Sequence, residues 1–210
     1  MSPKVSEEHR ESKRREILDA AVRVFIRQGF PATTMTDVVE ESGLSRGGVY
    51  LYFSGTEEMF LAIVEEVELA NERQAEELMA QYPTVWGAVA ALFIHLQEEL
   101  VRVREGLIPV MIEAFVMGWR KEVYTDLLER RYEQGTSRIE RMLQVGVDNG
   151  EFRPRLPIGT IARMFSSIND GIMVDTMQFG AEDARTQEQI GGFLLSLRYL
   201  LGACEEEERP

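Results

Sequence analysis

Apolar residues recur at helical spacing along almost the whole chain. Between residues 12 and 28 they form one face of a predicted helix that ends before Gly29. Further helices are predicted at about 54–81, 84–105, 121–149, 158–179 and 186–204, with glycine, proline and asparagine at the breaks. No segment alternates with the two-residue period of a strand. The pattern therefore predicts an all-α protein.

The stretch from residue 34 to residue 53 predicts two short helices joined by a tight turn. Thr34 and Asp37 have the spacing of a capping box, so the first helix begins here. Gly43 stands where a chain leaving a helix needs a left-handed residue, and Ser45 can cap the second helix. The expected inner contacts of this helix-turn-helix are Val38, Leu44, Val49 and Tyr52.

The second of these helices has an outer face suited to DNA. Arg46 stands at its N-terminal end, where a side chain meets base edges in the major groove. Gly47 and Gly48 each cost about 1 kcal/mol against alanine in a helix, a penalty that makes sense if the backbone lies close to another surface. Tyr50 and Tyr52 offer hydroxyls to phosphate oxygens. The alternative interpretation is a plain helical hairpin within a bundle.

The run GFPATTMTDVVEESGLSRGGVYLYFSGTEEMF resembles the N-terminal domain of the tetracycline-repressor (TetR/AcrR) family of transcription regulators. The resemblance is close from Arg15 to about Glu66, and beyond that it covers only length and helical style. It implies that Thr34 and Thr36 contact the DNA backbone. The family often has lysines where this chain has Ser54 and Thr56, and a threonine where it has Gly48. The predicted DNA-binding residues are Thr34, Thr36, Ser45, Arg46, Gly47, Tyr50, Tyr52 and Thr56.

Charge is distributed unevenly along the 210 residues, which carry a net charge of -13. Residues 1–56 hold eight basic and eight acidic side chains, so the acidic excess lies in the rest of the chain. There it would keep DNA away from the wrong surfaces. A basic cluster begins the first helix and is either a backbone-contacting arm or a solvated helix start: Arg10, Lys13, Arg14 and Arg15.

Length and segment pattern predict two domains, residues 1–56 with the helix-turn-helix and residues 57–210 as a helical effector-binding and dimerisation domain. Ser54 and Glu57 are read as a second capping box that starts a long helix linking the two. No apolar run reaches the roughly 18 residues of a membrane span, and the first residues lack a signal peptide, which predicts a cytoplasmic protein without a membrane partner. A single cysteine, Cys204, predicts no internal disulfide.

The last two predicted helices carry more apolar surface than one partner needs. We interpret these apolar stripes as the contact surface of a four-helix bundle to which each of two subunits contributes both helices. In such a dimer two helix-turn-helix motifs are held at a fixed spacing and can bind a palindromic operator. The alternative is that both stripes face inward. The stripes are Ile161, Phe165, Ile168 and Ile172, and Phe193, Leu194, Leu197, Leu200 and Leu201.

Flexible methionines and flat rings in the second domain are compatible with an apolar effector cavity or with an ordinary core. Residues 107–119, apolar on almost every side, are expected deep inside this domain. Glu113 within them would favour a cationic or hydrogen-bond-donating ligand. The family's habit of holding an effector in such a cavity favours the first interpretation. The effector-binding candidates are Trp86, Phe93, Met111, Glu113, Phe115, Trp119, Asn169 and Met173.

Enzymatic motifs are missing from the sequence: it has no phosphate loop between strand and helix, no HExxH and no nucleophile elbow. Neither histidine has a partner at ligand spacing, so no metal and no cofactor is predicted. The preferred interpretation is a homodimeric regulator, most simply a repressor, released from double-stranded DNA by a small apolar or cationic effector. The alternative is a helical small-molecule-binding or protein-interaction module that never binds DNA.

Overall fold

The computed structural model describes residues 7–118 and 122–203. Within these ranges no β-strand occurs, which confirms the all-α prediction. A 3-10 turn, Val103–Glu105, follows the fifth α-helix. The helices are α1 (Glu7–Gln28), α2 (Met35–Ser42), α3 (Arg46–Tyr50), α4 (Thr56–Gln81), α5 (Val85–Val101), α6 (Ile108–Gly118), α7 (Glu122–Asp148), α8 (Ile158–Phe179) and α9 (Thr186–Leu201).

The chain divides into two compact units. The first comprises Met1–Val67 and Glu105–Met117, and the second comprises Glu68–Arg104 and Gly118–Pro210. Helix α4 contributes residues to both units. Helix α6, up to Met117, belongs to the first unit although it follows α5 in the sequence. We continue to propose residues 1–56 as the DNA-binding domain, and the first unit contains these residues together with the start of α4 and most of α6.

Aromatic rings connect the elements of the first unit. Phe25 of α1 lies 5.5 Å from Phe30 of the following turn, measured between ring centroids, and Phe30 lies 4.6 Å from Phe60 of α4. Phe60 in turn lies 6.5 Å from Phe115 of α6. Such ring pairs add about 0.5–1.5 kcal/mol each beyond the area they bury. The buried face of α1 is the one expected from the sequence: Ile17, Ala20, Ala21, Val24 and Phe25.

The expectation that residues 107–119 lie deep inside the second domain is wrong. Val110, Met111 and Ala114 are buried, but Val116 and Met117 are 63% and 47% exposed. A helix shows its covered side at i, i+3 and i+4, and Val116 falls on the opposite side. Met117 lies three residues after Ala114, near the end of the helix, and is exposed there. An apolar composition on every side therefore did not mean burial on every side.

The start of α4 also differs from the prediction in its partner. Both the backbone N–H and the hydroxyl of Ser54 donate to Glu58 Oε2, at 2.7 and 2.8 Å. The expected partner was Glu57, one residue earlier. The helix begins at Thr56, two residues after Ser54, so the carboxylate that reaches back lies four residues on rather than three. These bonds hold the pKa of Glu58 below its ordinary value.

Three phenylalanines form the centre of the second unit. Phe93 of α5 lies 4.9 Å from Phe165 of α8 and 5.3 Å from Phe193 of α9, and the last two rings lie 5.7 Å apart. At the other end of α8 the hydroxyls of Thr176 and Thr186 share a buried hydrogen bond of 2.6 Å. Helices α5, α8 and α9 are thereby fastened to one another.

The two stripes expected to meet a second subunit lie mostly inside the second unit. Most members of both stripes are buried where α8 and α9 pack against each other and against α5. Ile168 is the exception on α8, with 37% of its surface exposed. Leu194 and Leu200 are half-buried. The prediction therefore named the inner side of each helix. The buried members are Ile161, Phe165, Ile172, Phe193, Leu197 and Leu201.

Two glycines of α7 give a matched test of packing. A Cβ at Gly146 would collide with the ring of Phe152, which is 2% exposed, whereas a Cβ at Gly135 would have only Arg138 Nη2 nearby, at 3.9 Å. We expect Gly146→Ala to lower the free energy of unfolding by about 1–3 kcal/mol, as forced packing does. Gly135→Ala should leave it unchanged or raise it by up to about 1 kcal/mol. Urea unfolding measures both, and equal values for the two variants would contradict this packing.

Candidate nucleic-acid interface

The first helix of the motif, α2, begins with the predicted capping box. Thr34 Oγ1 accepts from the Asp37 backbone N–H at 3.3 Å, and the Thr34 backbone N–H donates to Asp37 Oδ2 at 2.8 Å. The Thr34 hydroxyl also donates to Asp37 Oδ2. The hydrogen bonds from the Thr34 side chain and backbone lower the pKa of Asp37. The box therefore stays intact at neutral pH.

The turn and the second helix also follow the prediction. Gly43 has φ 66°, in the left-handed region where a side chain would be strained, and its N–H donates to the Glu40 carbonyl. Ser45 is the N-cap of α3, and its Oγ accepts from the Gly48 N–H at 3.1 Å. Helix α3 is only five residues long. Its direction is thus set by local caps at both sides of the turn.

The inner face of the motif holds α3 against α2. Val38 and Val49 are fully buried, whereas Leu44 and Tyr52 are half-buried. Val49 is the one buried residue of α3. The other side chains of this short helix are therefore available to the outside.

The outer face brings the predicted reading residues together. Ser45, Arg46 and Gly47 are exposed, and Tyr50 is 42% exposed. The Arg46 guanidinium lies 5.4 Å from the centre of the Tyr50 ring, a cation–π distance. These two residues are one helical turn apart, so the contact orients the arginine along the helix surface. A positive charge and a phenolic hydroxyl thus share one side of α3.

The remaining predicted contacts lie at the edges of this face. Thr34 and Thr36, at the start of α2, are exposed, whereas Tyr52 and Thr56 are half-buried. Gly47 has open space around it, since an added Cβ would meet nothing of this chain within 4 Å. At Gly48 the same atom would stand 3.2 Å from Ser45 Oγ, so this glycine also protects the cap of α3.

Leu51 is a residue of this face that the sequence interpretation did not name. It follows α3 directly, is 73% exposed, and donates its backbone N–H to the Gly47 carbonyl. Its spacing of four residues from Gly47 was the available signal, because it places both on one row of the helix.

Most of the basic cluster at the start of α1 is engaged within the protein. Arg15 pairs with Glu66 of α4 at 3.2 Å, and Arg14 lies 3.6 Å from the same carboxylate and over the Phe53 ring. Lys13 pairs with Glu16 at 2.6 Å. These contacts favour a structural role, the joining of α1 to α4, over a free arm for DNA.

A second ion-pair cluster fixes α2 on α1. Arg23 Nε and Arg27 Nη1 donate to the two oxygens of Glu41, at 2.7 and 2.8 Å. The two guanidinium groups hold the pKa of Glu41 below its ordinary value, with the Arg23 bond the larger cause. The carboxylate is accordingly charged whenever the motif is folded at neutral pH.

The effector-binding candidates belong to different units. Met111, Glu113 and Phe115 are part of the first unit, and Trp119 lies outside the described residues. Glu113 is exposed, and its carboxylate lies so close to Gly29 that a Cβ there would stand 2.8 Å from Glu113 Oε2. The expected carboxylate in an apolar interior is therefore not formed by this residue.

The other four candidates belong to the second unit. Phe93 is buried in the phenylalanine centre, and Trp86 is half-buried with the Arg198 guanidinium 5.7 Å from its ring. Asn169 and Met173 are half-buried neighbours on α8, with Asn169 Nδ2 3.9 Å from Met173 Sδ. The described residues include no group of three His, Cys, Asp or Glu placed to hold a metal ion. No helix in the described ranges is long and apolar enough to cross a membrane.

A capped turn, a buried Val49 and an exposed face with arginine, hydroxyls and an open glycine define a helix-turn-helix DNA-binding module. Comparison with known proteins agrees with this class. Residues 17–63 match the family model described as bacterial regulatory proteins, tetR family. Residues 89–187 match the tetracyclin repressor-like C-terminal domain.

Individual relatives extend the similarity over the whole chain. The chain is 44% identical over 206 residues to the HTH-type transcriptional regulator YfiR of Bacillus subtilis, covering 98% of this chain and 100% of that one. Among solved structures it resembles SmeT, described as the repressor of the Stenotrophomonas maltophilia multidrug efflux pump SmeDEF, with a TM-score of 0.72, 25% identity and coverage of 92% and 91%. A SmeT–triclosan complex has a TM-score of 0.73, 24% identity and 95% coverage of both chains.

The chain therefore belongs to the TetR/AcrR family of helix-turn-helix transcriptional regulators. The members of this family are regulators of transcription rather than enzymes. The alternative of a helical module that never binds DNA is not favoured.

Arg46 and Tyr50 give separable predictions for DNA binding. On a DNA sequence obtained by selection from random duplex DNA, Arg46→Ala should relax the preference for the base that this arginine contacts and cost about 1–3 kcal/mol. Tyr50→Phe keeps the ring beside Arg46 but removes the hydroxyl, so it should weaken binding almost equally on all sequences. Fluorescence anisotropy on the operator and its single-base variants measures both.

Arg73→Ala is the matched control, because it removes the same charge from an exposed site on the part of α4 in the second unit. An unchanged base preference in Arg46→Ala would remove this arginine from base reading, and a base-specific loss in Tyr50→Phe would contradict the phosphate contact.

Proposed function

We propose that this regulator is a homodimeric repressor that binds a palindromic operator and is released by a small apolar effector. The observation that carries the DNA part is the exposed face of α3, with Arg46, Gly47 and Tyr50 outward while Val49 alone is buried. The hydroxyls of Thr36, Ser45, Tyr50, Tyr52 and Thr56 would supply contacts to the DNA backbone around it. The Thr34 hydroxyl already donates to Asp37 Oδ2, so Thr34 would contribute by holding the start of α2 in place. One α3 reads too few base pairs to specify a genomic site, so two copies are required.

The outer side of α8 and α9 supports dimerisation. On α9, Leu195 and Tyr199 are 73% and 64% exposed and lie one turn apart, and on α8 Phe179 is 59% exposed. Exposed apolar side chains of this size, two of them neighbours on α9, are typical of an interaction surface. Exposed glycines lie beside them, and a Cβ at any of these would meet nothing within 4 Å: Gly171, Gly191 and Gly192. Small residues there would allow the helices of a second copy to approach closely.

A dimer is compatible with the burial of the two predicted stripes, because it would use the outer side of α8 and α9 instead. Each helix uses one side for the core of its own unit and keeps another side apolar. Met164 and Ile168, both 37% exposed, lie at the edge of the buried side of α8 and extend its apolar surface outward. Two copies related by a two-fold axis would present this surface to one another, which is the contact that closed symmetry requires.

The effector part of the proposal rests on the second unit. Trp86, Phe93, Asn169 and Met173 supply rings, a thioether and one amide, side chains of the kind that bind a small apolar molecule with one polar group. The preference for a cation depended on a buried Glu113, and this residue is exposed. SmeT, a structural relative, is known as a complex with triclosan. We therefore propose an apolar effector.

Release from DNA would be a shift between two dimer geometries. Helix α4 contributes to both units, so a ligand that favours one position of its second half biases the first half as well. A difference of about 1–3 kcal/mol in effector affinity between the two geometries suffices for a 5- to 150-fold change in operator affinity.

Leu195→Asp tests the dimer. A carboxylate at this exposed position costs the isolated subunit less than about 1 kcal/mol in helix propensity, but it would be desolvated in the interface, so sedimentation should show a monomer. Operator affinity should fall on the order of 100-fold, because the two heads no longer bind as one linked unit. Ile94→Asp on α5, where the side chain is 55% exposed, is the matched control and should remain dimeric. A dimeric Leu195→Asp would refute this interface.

Met173→Ala tests the effector site. A screen of small apolar compounds for release of a fluorescent operator supplies the probe, and a releasing compound should also raise the melting temperature of the free protein. Met173→Ala should weaken that compound about tenfold, or ~1.4 kcal/mol, and leave operator affinity without the compound unchanged. Met79→Ala makes the same change at a half-buried methionine packed on Leu78 and Ala88, and it should respond like wild type. Equal weakening in both variants would remove Met173 from the site.

A further inference from the structure

Leu51 is an apolar side chain on a face that otherwise offers charge and hydroxyls. It is 73% exposed, as much as any large apolar residue in the described part of the chain, and it directly follows the last residue of α3. Leu51 contributes to the fold through its backbone N–H, which donates to the Gly47 carbonyl at 3.1 Å. Nothing in the packing of the first unit requires a leucine side chain at this position.

The neighbours of Leu51 form two parallel rows on the outer side of α3. One row holds Arg46 and Tyr50, joined by the contact of the guanidinium with the ring at 5.4 Å. The other row holds Gly47 and Leu51, four residues apart and so on the same side of the helix. Gly47 has no side chain, and a Cβ added there would meet nothing within 4 Å. The second row is therefore a shallow step in the surface: it is low at Gly47 and rises to the Leu51 side chain at its C-terminal end.

The chemistry of this step fits one feature of the major groove. Among the four base pairs, only those with thymine present an apolar group there, the C5 methyl, and apolar side chains are the groups that contact it. A methyl approaching over Gly47 would meet the Leu51 side chain without displacing Arg46. We propose that Leu51 reads a thymine methyl in each half-site, next to the base that Arg46 contacts. This inference rests on the DNA-binding function proposed above.

The thymine methyl can be removed without any other change by replacing thymidine with deoxyuridine. In wild-type protein, one such replacement in one half-site should lower affinity about fourfold, the factor expected for one buried methyl group. Leu51→Ala removes this contact in both half-sites, so it should lower affinity on the unmodified operator about 16-fold and be insensitive to the replacement. Restoring a methyl in the same place with 5-methylcytosine opposite guanine should recover part of the wild-type affinity lost with plain cytosine.

The experiment is a double-mutant cycle, with each thymine of one half-site replaced in turn and affinity measured by anisotropy for both proteins. Leu69→Ala, a leucine 58% exposed on α4 in the second unit, is the matched control and should follow wild type at every position. Melting curves establish that Leu51→Ala is folded, as its exposure requires.

Several results would overturn the inference. If the affinity of wild-type protein changes with no single replacement, or changes equally for wild type and Leu51→Ala at every thymine, Leu51 contacts no methyl. A loss in Leu51→Ala that is the same on every sequence would assign the side chain to the sugar–phosphate backbone. If wild type retained no duplex at all from a random library, the regulator function would fail first, and this inference with it.

Discussion

The helix-turn-helix depends on contacts that hold α3, a helix too short to be stable alone. Five residues of α3 form little more than one turn, and an isolated helix of this length does not persist in water. Its position is set by the Ser45 cap, the left-handed Gly43 and the burial of Val49. Because one buried residue suffices, the remaining side chains of α3 are left for recognition.

The rest of the first unit supports this arrangement. Glu41 ties α2 to two arginines of α1, and Glu66 ties α4 to the start of α1. Phe60 of α4 contacts Phe115 of α6. Helix α6, although remote in sequence, therefore packs against the same aromatic side chains as α1 and α4. In the second unit the phenylalanine centre uses the inner sides of α8 and α9 and leaves Leu195 and Tyr199 outside. The recognition surface and the proposed dimer surface thus depend on the same division of each helix into a buried side and an exposed side.

Sequence reasoning succeeded where structure is local. Thr34 with Asp37, Gly43 and Ser45 act over three or four residues, and all three took the predicted roles. It failed where tertiary packing decides, as for Glu113, whose helix has no polar side to indicate which face is exposed. The dimer stripes failed for a related reason, since a helix with two apolar sides does not reveal which one is internal. Leu51 was overlooked because an exposed leucine looks like a core residue in a sequence.

We propose that two copies of the helix-turn-helix, each with Arg46 and its neighbours outward, bind one duplex. Selection of bound fragments from random duplex DNA by the wild-type protein tests it most directly. We expect the selected fragments to contain an inverted repeat whose half-sites lie about 10 base pairs, or a multiple of that, apart from centre to centre. Binding to it should weaken steeply as the salt concentration rises. Enrichment of a single unrepeated motif, or no enrichment at any salt concentration, would contradict it.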